Sequence, residues 1–294
     1  MPDNLNDTHN QRAVLLFSCA DQAGIISTLA NFFAERGLSI SRLEEFTDDG
    51  HLFLRLEWML NQRWENQLDF ASEFETLASQ FSATFTARFF NQTQTIGLFA
   101  SAQAHALVEI LSRHEASYFP NVEISFIVGS DESIRPLADR YATPFFHIPI
   151  STDSNQDALD YEQRQIDILH RYRPDFLALA HYTKVLSANF LRRAGCPIIN
   201  IQPSFMPSLE SAQPYRMAYK RGVKLIGASS HFVTAELDQG PIIEQDVCRA
   251  GAGASLDEFI QMGREIERKV FARAILKVLQ HKTMIHNNRT IVFN

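Results

Sequence analysis

The sequence predicts an α/β protein with two domains, on the strength of three observations. Strand and helix patterns follow the order βαββαβ over residues 10–90, which is the ferredoxin-like order. From residue 95 onward, strands alternate with helices, which indicates a mostly parallel sheet. A polar join at 90–95 separates the two patterns, and a chain of 294 residues is long enough for two cores. We therefore predict domains at 10–90 and 95–294.

The first domain is defined by apolar strands and by apolar residues at helical spacing. The predicted strands cover residues 13–19, 38–46, 51–58 and 83–89. Helical stripes run from Ile25 to Phe33 and from Phe70 to Phe81. Asp48-Asp49-Gly50 predicts a tight hairpin turn between the two middle strands.

The second domain has longer alternating elements. The predicted strands cover residues 96–100, 122–128, 145–150, 175–180, 197–200, 223–233 and 241–249. The predicted helices cover 102–115, 131–141, 159–172, 186–194, 214–222 and 255–280, with a polar loop at 151–157. A terminal hairpin is predicted around Asn287-Asn288. In such sheets the functional site lies at the carboxyl ends of the strands.

Composition excludes several classes of protein. The net charge of −7 and the lack of a lysine and arginine cluster argue against nucleic-acid binding. The apolar runs are of strand length, and the polar start does not resemble a signal peptide. Cys19, Cys196 and Cys248 are widely spaced, which indicates reduced thiols and no zinc site. We expect a cytoplasmic protein with no membrane association and no metal.

Chemistry-bearing residues are densest between residues 198 and 245. Asn200 ends a buried strand, His231 lies inside a strand, and Asp238 stands in a turn before Gly-Pro. Each has an ordinary structural interpretation: a loop amide bonded to its own backbone, a buried structural histidine, and a turn aspartate. Taken one at a time, these residues do not establish a site.

Taken together, the motifs of this segment resemble the folate-dependent formyl hydrolases and transferases. The motifs are Ile199-Asn-Ile, Pro203-Ser-Phe-Met-Pro, Pro214-Tyr with Ala218-Tyr219, Gly222-Val-Lys with Ile226-Gly-Ala, His231-Phe-Val, Leu237-Asp-Gln-Gly-Pro-Ile-Ile, Gln245-Asp-Val and Gly263-Arg-Glu-Ile-Glu-Arg. The first domain resembles an ACT domain through Asp21-Gln22-Ala23-Gly24. An ACT domain ahead of a formyltransferase-like domain makes the whole chain similar to the formyltetrahydrofolate deformylases.

The resemblance implies a hydrolytic site made of an asparagine, a histidine two residues later and an aspartate. It places the asparagine at Asn200, the aspartate at Asp238 and a further family histidine at His231. An amide that donates to the developing oxyanion stabilises the transition state by about 3–4 kcal/mol. The carboxylate orients or deprotonates water, and a histidine protonates the departing folate nitrogen.

The sequence departs from the family pattern at the first histidine, where Gln202 stands. A glutamine amide can donate a hydrogen bond but cannot carry a proton near neutral pH. Loss of a general acid costs about 10²–10⁴ in rate. Ser211 also replaces a family glycine, and 252–254 lack the family's His-x-Asp.

Three hypotheses follow from these features. The first is a hydrolase of 10-formyltetrahydrofolate, slowed by Gln202, in which His231 or water moves the proton. The second is a non-catalytic regulator of the same fold that binds a folate or an amino acid. The third is an enzyme with a different formyl acceptor or substrate.

The resemblance also implies binding residues and partners. The folate substrate is expected at six residues of the second domain: Ala178, Leu179, Ala180, Tyr182, Ser204 and Gly227. An amino-acid effector is expected at Asp21 and Gly24, since amides at a helix N-terminus suit a carboxylate. We expect a homo-oligomer with no tightly bound cofactor and with 10-formyltetrahydrofolate as substrate.

Overall fold

The computed structural model describes residues 11–61, 63–64, 66–149, 155–206, 214–251 and 253–294, with only the backbone for 155–159. The chain divides into two compact units. Unit 1 contains the chain up to Thr93 together with Gln280–His286 and Ile291–Asn294, and unit 2 contains Gln94–Leu279 and Asn287–Thr290. The first unit has an ACT-like fold, and the second has a formyltransferase-like fold with a mostly parallel sheet.

Unit 1 contains the predicted βαββαβ order. Its elements are β1 (Arg12–Ala20), α1 (Ile25–Ala34), β2 (Ile40–Asp48), β3 (His51–Met59), α2 (Gln67–Gln80) and β4 (Thr84–Phe89). The described strands form an antiparallel sheet in the order β2-β3-β1-β4. Asp49 and Gly50 have φ angles of 47° and 71°, which are the left-handed values that a two-residue hairpin turn requires. The prediction of this domain's fold is confirmed.

Aromatic packing holds the helices of unit 1 on the sheet. Phe33, Trp58, Phe70 and Phe74 are fully buried, and the rings of Trp58 and Phe70 stack with centroids 5.0 Å apart. Buried aromatic side chains contribute the largest apolar area per residue. The helical stripes of the sequence are therefore the faces that pack on the sheet.

The last residues form the predicted hairpin, β12 (Thr283–His286) and β13 (Arg289–Val292). Ile291 and Phe293 pack in one buried cluster with Val14, Leu16 and Phe53 of unit 1. This packing explains why most of the hairpin groups with unit 1, although we predicted it as part of 95–294. The boundaries 10–90 and 95–294 stay a prediction.

Unit 2 alternates strands and helices. Its strands are β5 (Gln94–Ala100), β6 (Val122–Gly129), β7 (Phe145–His147), β8 (Phe176–Ala180), β9 (Ile198–Gln202), β10 (Leu225–Phe232) and β11 (Ile242–Arg249). Its helices are α3 (His105–Glu115), α4 (Arg135–Arg140), α5 (Asn155–Tyr172), α6 (Ala188–Ala194), α7 (Pro214–Arg221) and α8 (Leu256–Leu279), with a 3₁₀ turn at Glu132–Ile134. In the described ranges, no helix is both long and apolar enough to cross a membrane.

The sheet of unit 2 has the order β11-β10-β9-β8-β5-β6-β7 in the described residues. Strands β5 to β9 pair in parallel, whereas β10 is antiparallel to both β9 and β11. The antiparallel pairing sets Asn200 opposite His231 and Gln202 opposite Ser229. This register brings residues from separate motifs together at the carboxyl end of β9.

Several predicted boundaries differ from the structure, and two of them flank the gap at 150–154 in the described residues. Strand β7 has three residues and ends at His147, whereas the apolar pattern predicted 145–150. Helix α5 begins at Asn155, inside the predicted polar loop 151–157, and residues 150–154 lie outside the described residues.

Candidate active site

A cleft of about 860 Å³ opens in unit 2 beside the ends of β8 and β9. Its volume lies in the range of small-molecule sites. Among the lining residues are Asn200, Gln202, His231 and Asp238. These four side chains, which we call the quartet, were predicted from the sequence to converge, and the structure brings them together.

The quartet is built from two paired strands and one turn. Asn200 and Gln202 are alternate residues of β9, so both project from the same face of the strand. His231 is opposite Asn200 on β10. Asp238 has φ 51°, a left-handed conformation that aspartate tolerates better than most residues. The backbone of Gly240 packs against the carbonyl oxygen of Phe232, where a Cβ would collide.

A chain of short contacts joins the four side chains. The Asn200 Nδ2 lies 3.4 Å from His231 Nε2, and His231 Nε2 lies 3.9 Å from Asp238 Oδ1. The Gln202 Nε2 donates a hydrogen bond of 2.9 Å to Asp238 Oδ2. Two amides, an imidazole and a carboxylate therefore meet at one wall of the cleft.

The tautomer of His231 follows from its partners. Its Nδ1 lies 2.9 Å from the Phe232 carbonyl oxygen, which can only accept, so Nδ1 carries a proton. The Nε2 lone pair then points to the amide of Asn200 and the carboxylate of Asp238. Burial lowers the pKa of His231, although the Phe232 carbonyl and Asp238 oppose this shift. The imidazole is therefore neutral at neutral pH and can accept a proton at Nε2.

Gln202 donates to Oδ2 of Asp238, and Oδ1 of the same carboxylate lies 3.9 Å from His231 Nε2. The side chain of Asp238 is 24% exposed, so water reaches the carboxylate. Each amide nitrogen of the quartet has two N–H groups and can donate two hydrogen bonds. The geometry suits stabilisation of an oxyanion next to a carboxylate that can hold water.

Family models match both units of the chain. The model described as formyl transferase matches residues 95–275, and the ACT domain model matches residues 13–61. A formyltetrahydrofolate deformylase of Synechocystis sp. is 37% identical over 97% of this chain and 99% of its own length. The one from Bacillus subtilis is 35% identical over 99% of this chain and 97% of its own. The chain belongs to the formyltetrahydrofolate deformylase family.

Solved structures support the same assignment. A formyltetrahydrofolate deformylase from Pseudomonas syringae superposes with a TM-score of 0.91 at 30% identity, covering 97% of this chain and 95% of that one. The one from Burkholderia mallei gives a TM-score of 0.88 at 30% identity, covering 97% and 100%. A glycinamide ribonucleotide transformylase from Symbiobacterium toebii gives 0.62 at 24% identity over 69% of this chain, which shows the shared fold alone.

The predicted folate-binding residues of this deformylase-family chain fall into two groups. Leu179 and Tyr182 line the cleft. Ala178 and Ala180 lie fully buried in the core of the sheet. The Tyr182 hydroxyl accepts a hydrogen bond from Gln165 Nε2 and shares another with the Tyr161 hydroxyl.

The other two predicted binding residues support the cleft from behind. The carbonyl oxygen of Ser204 accepts a hydrogen bond of 2.9 Å from the Ser229 hydroxyl. A Cβ at Gly227 would lie 2.7 Å from the carbonyl oxygen of Asp246. The residues that line the cleft do not include Ala178, Ala180, Ser204 or Gly227, and their role in folate binding stays a prediction.

The predicted effector residues lie at the start of α1 in unit 1. Gly24 has φ 94° and precedes the helix, and the Asp21 amide donates 2.8 Å to the Gly50 carbonyl oxygen. Asp21 is exposed. Ser211 and Ala252, two positions where the sequence departs from the family pattern, lie outside the described residues.

The sequence interpretation missed a second group of ionisable side chains at the same cleft. His105, His181 and Glu267, which we call the His105 cluster, meet in unit 2, and His181 and Glu267 line the cleft. Burial lowers the pKa of His181, opposed by Glu267. His105 and Glu267 are 162 residues apart in the chain, and no short motif connects them.

Proposed function

We propose that the protein hydrolyses 10-formyltetrahydrofolate to formate and tetrahydrofolate, and that the quartet performs the reaction. The observation that carries the proposal is the contact chain in which Gln202 holds Asp238 beside His231 and Asn200. The family and the cleft volume support a folate-sized substrate. Lys184, Arg216 and Arg264 on the cleft wall suit its carboxylates.

The first step is attack of water on the formyl carbon. Asp238 lines the cleft with a side chain that is 24% exposed, and its carboxylate orients the water. The proton of the water passes to His231 Nε2, which is unprotonated and 3.9 Å from the carboxylate. The oxygen bonds to carbon, and the carbonyl electrons become an oxyanion that the amides of Asn200 and Gln202 stabilise.

The second step breaks the carbon–nitrogen bond. The imidazolium formed at His231 returns its proton to the folate nitrogen as this nitrogen leaves, the oxyanion re-forms the carbonyl, and the resulting formic acid loses its proton to water to give formate. Burial makes this imidazolium a stronger acid than an exposed one, because the charged form is poorly solvated. Gln202 holds the carboxylate but carries no proton, so we expect turnover below that of an enzyme with histidine at this position.

One observation favours a second candidate function. Gln202 cannot titrate, so a protein that binds the folate without turnover, as a regulator, fits the same cleft. Formate release and folate binding, measured separately on the full chain, distinguish the two. Formate equal to the folate consumed supports hydrolysis, whereas tight folate binding without any formate supports the regulator and refutes our proposal.

We also propose an amino-acid effector for unit 1. Asp21 and Gly24 lie at the start of α1, and the ACT domain match includes both. Calorimetric titration with the twenty amino acids tests this, with Gly24→Ala as the variant, since alanine disfavours φ 94°. A cytoplasmic location, a homo-oligomer and the absence of a tightly bound cofactor stay predictions.

A further inference from the structure

The His105 cluster has the donor set of a zinc site. Two imidazoles and one carboxylate are the three protein ligands of one class of catalytic zinc centre, in which the fourth position stays open. A search of the described residues for three histidine, cysteine or acidic side chains with ligand atoms within 4.8 Å of one another finds this cluster. We propose that it binds one divalent transition metal ion of the zinc type.

The distances match such an ion with little movement. Zinc–nitrogen bonds are about 2.1 Å, so two ligands on one ion are at most about 4.2 Å apart. His105 Nε2 and His181 Nε2 lie 2.9 Å and 3.7 Å from the same oxygen of Glu267, Oε2. The two imidazole nitrogens lie within 4.8 Å of each other. The 4.8 Å bound exceeds 4.2 Å by about 0.6 Å, so a small shift of one side chain brings all three ligands into range.

The surroundings also orient the carboxylate as metal sites require. The Tyr215 hydroxyl donates 2.6 Å to Glu267 Oε1, which leaves Oε2 directed at the two histidines. Hydrogen bonds of this kind to a ligating carboxylate fix its orientation. The ring of Tyr215 is in turn held against Gly263, where any side chain would collide.

Burial gives the cluster a reason to take a cation. The side chain of Glu267 has no exposed area, whereas those of His105 and His181 are 13% and 16% exposed. A buried carboxylate is costly unless its charge is compensated. A metal ion at Oε2 would supply this compensation, and the His105 proton that now faces Oε2 would move to Nδ1.

The cleft gives the ion a path of entry and an open coordination position. His181 lines the cleft and its side chain is 16% exposed, so an ion bound to it is reachable from solvent. Arg264 also lines the cleft, and its positive charge lowers the affinity for a cation. We therefore expect the metal ion to bind weakly and to exchange, with water or an anion completing its coordination.

The test is metal binding by the full chain, purified without a histidine tag and stripped with a chelator. Co²⁺ titration gives the absorption band of a low-coordinate site, and competition with a chromophoric chelator gives the Zn²⁺ affinity. The variants are His181→Asn, which tolerates the left-handed φ of 59°, and Glu267→Gln, which keeps the shape of the side chain. The control is His147→Ala, whose histidine has one carboxylate partner, Glu132, at 3.1 Å.

We expect one metal ion per chain in the native protein and in His147→Ala, and affinity at least about tenfold weaker in His181→Asn and Glu267→Gln. Circular dichroism confirms that the variants are folded. Binding that is equal in the native protein and both cluster variants, or the absence of any binding in the native protein, would overturn the proposal. The readout does not depend on turnover, so it stands apart from the hydrolysis assay.

Discussion

The cleft has two groups of ionisable side chains, and the chain builds them in different ways. The quartet comes from two paired strands and the turn that follows, within residues 200–238. The His105 cluster comes from elements far apart in sequence: the start of α3, the residue after β8, and the middle of α8. The register of two strands brings the first group together, whereas the packing of α8 against the sheet and α3 brings the second together.

The two groups also differ in charge and solvent access. Asp238 is 24% exposed and bonded to an uncharged amide, whereas Glu267 is fully buried between two histidines and a tyrosine. An accessible carboxylate beside a neutral imidazole suits proton transfer to and from water. A buried carboxylate between imidazoles suits a fixed ligand set. This difference is why we propose turnover at the quartet and metal binding at the His105 cluster.

Removal of the Asp238 charge is expected to have the largest effect. Asp238→Asn keeps the left-handed backbone and an acceptor for Gln202 but loses the group that holds and polarises water. We expect kcat to fall by at least about 10³-fold with KM little changed. Steady-state formate release measures this. Asp246→Asn, which removes a carboxylate paired with Arg273 outside the cleft, is the control. Equal activity in Asp238→Asn and the native protein would remove Asp238 from the mechanism.

The pH profile tests the role of His231. Its pKa is lowered by burial, so the neutral form that accepts a proton persists below the ordinary value of about 6.5. We expect kcat to fall only as pH drops through this lowered pKa, and His231→Asn to lose about 10²-fold and this acid limb. If kcat of His231→Asn falls at low pH as it does in the native protein, a group other than His231 is responsible for the pH dependence.

The same shift makes a prediction for stability. The unfolded chain binds a proton at His231 more readily than the folded chain, because burial lowers the folded pKa. The free energy of unfolding is therefore expected to fall as pH drops below about 6.5 and to be independent of this group well above it. Denaturant unfolding of native and His231→Asn proteins across this range measures the difference.

A smaller effect is expected from Tyr215→Phe. The substitution removes the 2.6 Å hydrogen bond to Glu267 and leaves the three ligands in place. We expect Co²⁺ and Zn²⁺ affinity to fall about tenfold or more. Tyr219→Phe on the same helix is the control, since that ring packs on Phe259 at the surface of the helix pair. Equal metal affinity in the two variants would show that Tyr215 does not contribute to metal binding.

Much of the fold and the quartet was predictable from the sequence. Periodicity located β9 and β10, and the motif match placed Asn200, His231 and Asp238 in one family pattern. The hydrogen bond between Gln202 and Asp238 was not predictable, because it depends on the left-handed turn at Asp238 and on the register of β9 with β10. The burial of individual side chains was also not predictable: those of Ala178 and Ala180 lie in the core, and the role of these two residues in folate binding stays a prediction.

The His105 cluster could not be predicted from the sequence for a different reason. His105 begins α3, and Glu267 lies in the middle of α8 on a buried face, where its neighbours are apolar. A buried acidic residue in an apolar helical stripe was the available clue. Its partners depend on how α3 and α8 pack, and periodicity gives no information about that packing.

The central claim is that Gln202 holds Asp238 but supplies no proton, so it limits turnover. The most direct test is single-turnover formate release from saturating 10-formyltetrahydrofolate by the native protein and Gln202→His. A histidine at this position, within reach of Asp238, would gain an elevated pKa from the carboxylate and could act as the acid. We predict an increase of about 10²-fold or more in the rate. A native protein that is already as fast as Gln202→His would contradict the claim.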